Sequence, residues 1–221
     1  MRRRNLLISS SGGSDTHDFV EIGGVKWATM NIGAETETDY GLYFQWGDTA
    51  GYTSGQCGSN TVEYRKPFFS SDYKFNGGRS TLLESGMTKY NLSDGKTVLD
   101  KSDDAARLYW GGDWRMPTTA EFVALGNAVT TAWTQVDGVY GLLCTDKEDS
   151  SKTLFFPAAG DCYNSSFAHG GTIGYYWSSS LYTSYSYLHR AYDFRLDSSG
   201  VLWQDYLQRC QGFSIRPVLG S

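Results

Sequence analysis

Positive charge is scarce in this chain: Lys and Arg total 19 of 221 residues against 24 Asp and Glu, for a net charge of −5. That balance offers no basic field to grip a phosphate backbone, so nucleic acid is not an expected partner. No apolar run approaches the roughly 20 residues of a membrane-spanning helix, and no membrane insertion is expected. Proline is limited to 4 residues while Gly reaches 26, a balance of many turns and short strands with few long helices. The four cysteines, Cys57, Cys144, Cys162 and Cys210, lie far apart, and His17, His169 and His189 are equally scattered. This spacing excludes a zinc site or other metal-ligand cluster, so neither metal nor cofactor is expected. One or two disulfides stay open, without an assignable pairing. The G-x-S-x-G, P-loop and H-E-x-x-H signatures are all missing. Cys210 beside Arg209 has no base near it in the sequence. No catalytic residue is expected, and the chain does not read as an enzyme.

What is present is a folded core. Hydrophobic residues make up 40% and aromatic residues 15%, which excludes overall disorder, and the length suits one domain. Mean hydropathy is nevertheless −0.42, since Ser, Thr, Asn, Gly and Tyr supply the polarity. The start, with Arg2, Arg3 and Arg4 before Leu6-Leu7-Ile8, imitates a secretory signal. Its apolar stretch falls short of the roughly 7–15 residues required, so no signal peptide is recognised and residues 1–18 read as a basic flexible arm. From residue 19 to 221 the chain reads as one α+β domain. Two short runs around Gly23-Gly24 form a hairpin, and residues 40–46 are an aromatic strand candidate. Residues 47–100 form an irregular insertion packed through Tyr64, Phe68, Phe69, Tyr73 and Phe75.

Two helices are legible. One spans about 103–110 with Ser102 as its cap; the other follows Pro117, where Thr118 to Glu121 spells a capping box and Phe122, Leu125 and Val129 line one face. Further strands are expected over 139–145, 153–157, 173–179, 191–196 and 213–218. Helices set in the middle of antiparallel strands argue for α+β rather than a wound parallel sheet.

The composition changes in the last third. Residues 153–221 contain neither Lys nor Glu, yet they hold Tyr182, Tyr185, Tyr187, Tyr192 and Tyr206 among Ser, Asp and Arg. Tyr gives a rigid amphipathic contact at low entropy cost, Ser adapts its hydrogen bonds and Arg supplies a fork of donors. The same residues would also suit an ordinary sheet with a polar outer face.

Six segments, in order, carry a family resemblance: Ile22-Gly23-Gly24-Val25-Lys26-Trp27-Ala28-Thr29-Met30-Asn31-Ile32-Gly33, Asp39-Tyr40-Gly41-Leu42-Tyr43-Phe44-Gln45-Trp46-Gly47, Trp114-Arg115-Met116-Pro117-Thr118, Leu154-Phe155-Phe156-Pro157-Ala158-Ala159-Gly160, Gly174-Tyr175-Tyr176-Trp177-Ser178-Ser179-Ser180 and Gly212-Phe213-Ser214-Ile215-Arg216-Pro217-Val218. Over about residues 19–219 the chain resembles the Bacteroidetes paralogous-domain proteins of C-type-lectin-like fold, first noted as the Fibrobacter major paralogous domain. Its end resembles the variable proteins of diversity-generating retroelements. There, adenine-directed copying errors turn template Asn codons into Tyr, Ser, His, Asp, Arg and similar residues, never Lys or Glu. Residues 181–210 contain no Lys, Glu, Met or Asn.

The resemblance implies a C-type-lectin-like (formylglycine-generating-enzyme-like) fold of antiparallel strands with two helices, and a variable region over 177–218. It implies ligand contact through Tyr182, Ser184, Tyr185, Tyr187, His189, Asp193, Arg195, Asp205, Tyr206 and Arg209, with Gln204, Gln208 and Trp203 fixed. Tyr182, Tyr185, Tyr187, Asp193, Arg195, Tyr206 and Arg209 would then form one exposed patch. The partner would be a protein or other cell-surface ligand. The location would be a phage virion or bacterial surface, with the arm as attachment to a phage tail or other surface structure. A non-diversified surface or fimbria-associated module of this fold is the alternative, and a formylglycine-generating-type oxidase ranks lower. The calcium triplets of sugar-binding lectins are absent, and the oxidases' paired cysteines have no counterpart near Cys210.

Overall fold

The computed structural model describes residues 17–57, 68–91, 93–164, 166–184 and 187–220. Most of the basic arm, Tyr64 and Tyr185 therefore lie outside the described residues. Strands β1 (Phe19–Ile22) and β2 (Val25–Ala28) pair as the predicted hairpin. Gly23 and Gly24 both take positive φ, 61° and 76°, as a tight two-residue hairpin turn demands. Residues 40–46 do not form the expected strand. Only Tyr43 and Phe44 make isolated bridges, to Tyr52 and Phe213.

Among its described residues the insertion contains one α-turn, α1 (Ser54–Cys57), and short 3-10 turns. It is nevertheless core material, since Phe68, Tyr73, Phe75, Leu82, Met87 and Tyr90 are all buried. Side chains replace a ladder in satisfying its backbone. Asn76 Nδ2, for example, donates to the carbonyls of Ser70, Arg79 and Thr81 at 2.8–3.2 Å. Cys57 is bonded to Cys162, pinning this segment to the second half of the chain, and Cys144 and Cys210 are free.

Helix α2 (Ala105–Trp110) is capped by Asp104, not Ser102, because residues 101–103 already form a 3-10 turn. The Asp104 carboxylate accepts from the amides of Ala106, Arg107 and Met116. Strand β3 (Trp114–Arg115) leads to α3 (Thr119–Ala128), which carries the predicted capping box. Arg115 reinforces it with two hydrogen bonds to Glu121, at 2.8 and 2.5 Å.

The rest is strand. A meander of β4 (Val129–Val136), β5 (Val139–Asp146) and β6 (Thr153–Pro157) is followed by the small hairpin β7 (Asp161–Tyr163) and β8 (Ser166–Ala168). Then β9 (Ile173–Leu181), β10 (Arg190–Asp197) and β11 (Gly200–Gln208) form a sheet in the order β11-β10-β9. The expected strand over 213–218 shrinks to β12 (Val218–Leu219), which joins β2 and β3 in the order β1-β2-β12-β3. All named strand pairs are antiparallel, and the class is α+β. Among the described residues no helix is long and apolar enough to cross a membrane.

Trp27, Trp46, Trp114 and Trp177 are fully buried, as their place in the apolar motifs predicts. Two aromatic cores meet at β9: Trp177 packs with Trp46, Tyr90 and Phe213, while Tyr176 packs with Trp27, Phe122, Phe156 and Phe194. Helix α3 closes the second core against β11. A Cβ at Gly126 would come within 2.6 Å of the Trp203 ring, so only glycine permits this approach. Helix propensity alone would make Gly126→Ala stabilising by about 1 kcal/mol. The expected result is the reverse, a loss of about 1–3 kcal/mol from overpacking, read by denaturant unfolding. A gain would show that the helix does not press on Trp203.

Candidate ligand-binding surface

The sheet β9-β10-β11 carries nearly all of the candidate residues, so its two faces decide their fate. Cross-strand partners share a face and neighbours along a strand alternate. Tyr192 pairs with Tyr206, and the next residue, Asp193, pairs with Asp205. The tyrosines and the aspartates therefore point to opposite sides.

On the tyrosine side, Phe194 stacks on Phe122 of α3 and on Trp203, with ring centroids 5.0 and 4.8 Å apart. Further along that face the core gives way to a tyrosine cluster. Tyr182 lies on Tyr206 with centroids 4.0 Å apart and planes 11° from parallel, and meets Tyr192 edge-on at 5.2 Å. Tyr187 joins at 6.4 Å from Tyr182. The Arg190 guanidinium lies 5.0 Å from the Tyr187 ring and 5.5 Å from that of Tyr206. Tyr187 is 43% exposed and Tyr206 36%, and Ser184 is exposed on the loop that joins β9 to β10. His189 lies under this loop, its Nδ1 2.7 Å from Glu84 of the insertion.

On the opposite side Arg195 bonds Asp197 at 2.6 Å and reaches over Tyr175. Asp193 is 1% exposed, between Trp177 and Asp205, and neither carboxylate oxygen has a hydrogen-bond partner among the described residues. Burial, then the Asp205 carboxylate opposite, pushes its pKa well above the ordinary value, against the pull of Arg195.

Arg209 is fully buried. It donates to the carbonyls of Lys89 (3.3 Å), Tyr90 (2.6 Å) and Leu188, and its guanidinium sits 5.1 Å from the Trp46 ring. Burial pulls its pKa down. It is a clamp between the insertion and the loop after β9, not a surface residue.

The expectation of one contiguous exposed patch therefore fails. Tyr182, Ser184, Tyr187 and Tyr206 are on the exposed loop or in the cluster, with His189 beneath them. Asp193, Arg195 and Asp205 are on the other face, and Asp193 and Arg209 are buried. Alternation sets Phe194 and Leu196 on the side of β10 opposite Asp193, Arg195 and Asp197, and that side is buried there; β9, however, is buried on both sides, so the charged side is not automatically the wet one. Arg190 and Tyr192 are the members that the sequence reading left out. Tyr192 joins because it pairs with Tyr206, and Arg190, two residues before it on β10, shares that face.

Groups with reactive character are muted elsewhere. Burial pushes the Cys144 thiol up to about 12 and the Cys210 thiol up to about 11, so neither is a ready nucleophile at neutral pH. His169 Nδ1 lies 2.5 Å from Asp161 on a backbone with φ of 61°. Among the described residues no three His, Cys, Asp or Glu side chains converge to hold a metal ion.

Two outcomes follow from the buried charges. The folded state holds the Asp193 proton more tightly than the unfolded chain, so stability falls as pH rises above about 4 toward the folded pKa. Asp193→Asn should raise the melting temperature by an amount that grows from about pH 4 to pH 7; a flat difference would contradict the raised pKa. Arg209→Ala should cost about 3 kcal/mol or more, since it strands the buried carbonyls of Tyr90 and Leu188 and frees the half-buried one of Lys89. A loss below about 0.5 kcal/mol, the range of surface substitutions, would return Arg209 to the surface.

The chain matches no family model, no curated protein and no solved structure, so the reading of its function rests on these residues.

Proposed function

We propose that the chain is a ligand-binding protein whose recognition surface is the cluster of Tyr182, Tyr187, Tyr192, Tyr206 and Arg190, with Ser184 at its rim. The observation that carries this reading is the cluster itself. Four tyrosines gather at the edge of the sheet, two of them against one arginine, while Tyr176, Trp177 and Phe194 of the same sheet are fully buried. Tyr and Arg are the residues that most often anchor interfaces, because each adds large contact area and polar bonds at low entropy cost. The surface rests on a rigid support, with the segments near 45 and 213 packed behind the sheet, α3 beside the cluster on its own face and the insertion behind the loop, as a binding site requires.

The absence of Lys and Glu after residue 152 supports a finer reading. In it the region 177–218 is diversified by a retroelement on a C-type-lectin-like scaffold. The α+β architecture, with the C-terminal strand β12 paired to the N-terminal hairpin, is compatible with that fold. The Cys57–Cys162 disulfide suits an oxidising setting, hence a virion or bacterial surface, where the N-terminal arm would serve as the attachment. The buried thiols give no support to an oxidase. Within the diversified set, Asp193 and Arg209 are not ligand contacts on this reading.

Two measurements test the proposal. A variant carrying Ser at residues 182, 187, 192 and 206 should stay folded, with each change costing within about 0.5 kcal/mol, and should lose binding to the bacterial cells that the parent labels. Retained labelling would sink the surface. The neighbouring DNA should hold a reverse transcriptase gene and a near-copy of the coding region for 177–218; without them the diversified reading fails and a fixed surface module remains.

A further inference from the structure

Among the described residues, every arginine of the C-terminal part but one has an ion pair or a hydrogen bond. Arg195 is paired with Asp197, and Arg209 donates to three carbonyls, although its Nε is buried without a partner. Arg216 is fully buried and donates to Asn31 Oδ1 and to the carbonyls of Ala28, Thr29 and Phe155. Arg190 is the exception: among the described residues its guanidinium has no ion pair or hydrogen bond, and its Nε is buried without a partner. Its only contacts of note are ring faces, those of Tyr187 and Tyr206. The carboxylate held near this loop, Glu84, is already engaged by His189.

A guanidinium held against aromatic rings, partly dehydrated and without a counter-charge, is a preorganised receptor for one carboxylate. Its fork matches the two oxygens, and the low-dielectric flank strengthens the bond. The geometry points to a protein partner that presents an acidic side chain to Arg190, with apolar or aromatic groups packed around it on the tyrosines. This rests on the ligand-binding reading above and gives it a chemistry.

Two observations favour a protein over other anionic ligands. The Tyr206 ring is engaged by both Tyr182 and Arg190, and the Tyr187 ring by Arg190, so the stacking that a sugar or base would use is already partly taken up within the cluster. The chain also carries a net charge of −5, which repels polyanions such as nucleic acid or heavily sulfated glycans, while one carboxylate meets one arginine.

The experiment is selection of a displayed, randomised linear peptide library on the intact protein, followed by titration with the synthetic peptides recovered. The expected peptides share one Asp or Glu beside an aromatic or aliphatic residue. Replacing that acid by its amide, or making Arg190→Gln, should each weaken binding about tenfold or more, and the double change should add little. Arg190→Lys, which keeps the charge but loses the fork, should fall between, and far-ultraviolet circular dichroism verifies that each variant is folded. Peptides that carry no acid, or that bind Arg190→Gln equally well, overturn the carboxylate assignment. If such peptides are still lost when the four tyrosines become Ser, the surface itself stands. No enrichment of peptides, or capture of sialylated or sulfated glycans in their place, overturns the assignment of a protein partner.

Discussion

Two indole N–H groups tie the centre of the molecule together. Trp46 donates to the Ser178 carbonyl and Trp177 donates to the Phe44 carbonyl, each at 2.8 Å, so the segment around residue 45 and strand β9 hold one another. The backbone completes the bracket: Phe44 and Phe213 exchange amide–carbonyl bonds at 3.0 and 3.1 Å, Trp177 N donates to Ser214, and Trp46 N donates to Arg209. A buried indole without a partner would leave its donor desolvated, so these contacts fix register as well as contribute packing. Three distant stretches, near 45, 177 and 213, are thereby locked into one layer. The segment around 45 is no regular strand, yet its polar backbone is satisfied by its neighbours in space.

That bracket explains why the irregular insertion is needed. Residues 68–91 cover Trp46 and carry the carbonyls of Lys89 and Tyr90 that Arg209 requires. The same guanidinium takes the Leu188 carbonyl, and His189 is bonded to Glu84, so the loop bearing Tyr182, Ser184 and Tyr187 is seated on the insertion. Buried charge is costly unless its donors are matched, and here the matching partners come from segments about 20 and 120 residues away. The loop after β9 thus inherits rigidity from a part of the chain that has no strand ladder of its own.

The sheet that presents the tyrosines shows how a surface can tolerate change while its neighbour cannot. One step along β10 separates Tyr192, at the cluster, from Asp193, sealed against Trp177. Substitution at the first alters the half-exposed tyrosine cluster, whereas substitution at the second alters the core. Asp193 is the misfit of the design, an acid without a partner facing another acid, and it lies within the stretch that lacks Lys and Glu.

Much was legible in the chain itself. Thr118 and Glu121 spelled the helix start because a capping box is a local, reciprocal pair of bonds. Gly23-Gly24 spelled the hairpin because few residues accept two successive positive φ angles. The α+β class and the buried tryptophans were also written there. Tertiary structure alone decided the cap at Asp104, the pairing of Cys57 with Cys162, the role of Arg209 and the membership of Arg190 and Tyr192. The physical reason is common to them. Alternation tells which residues of a strand share a face, but which face stays in water depends on what packs against it. For β9 to β11 those covers, α3 on one side and the segments near 45 and 213 on the other, come from far away in sequence.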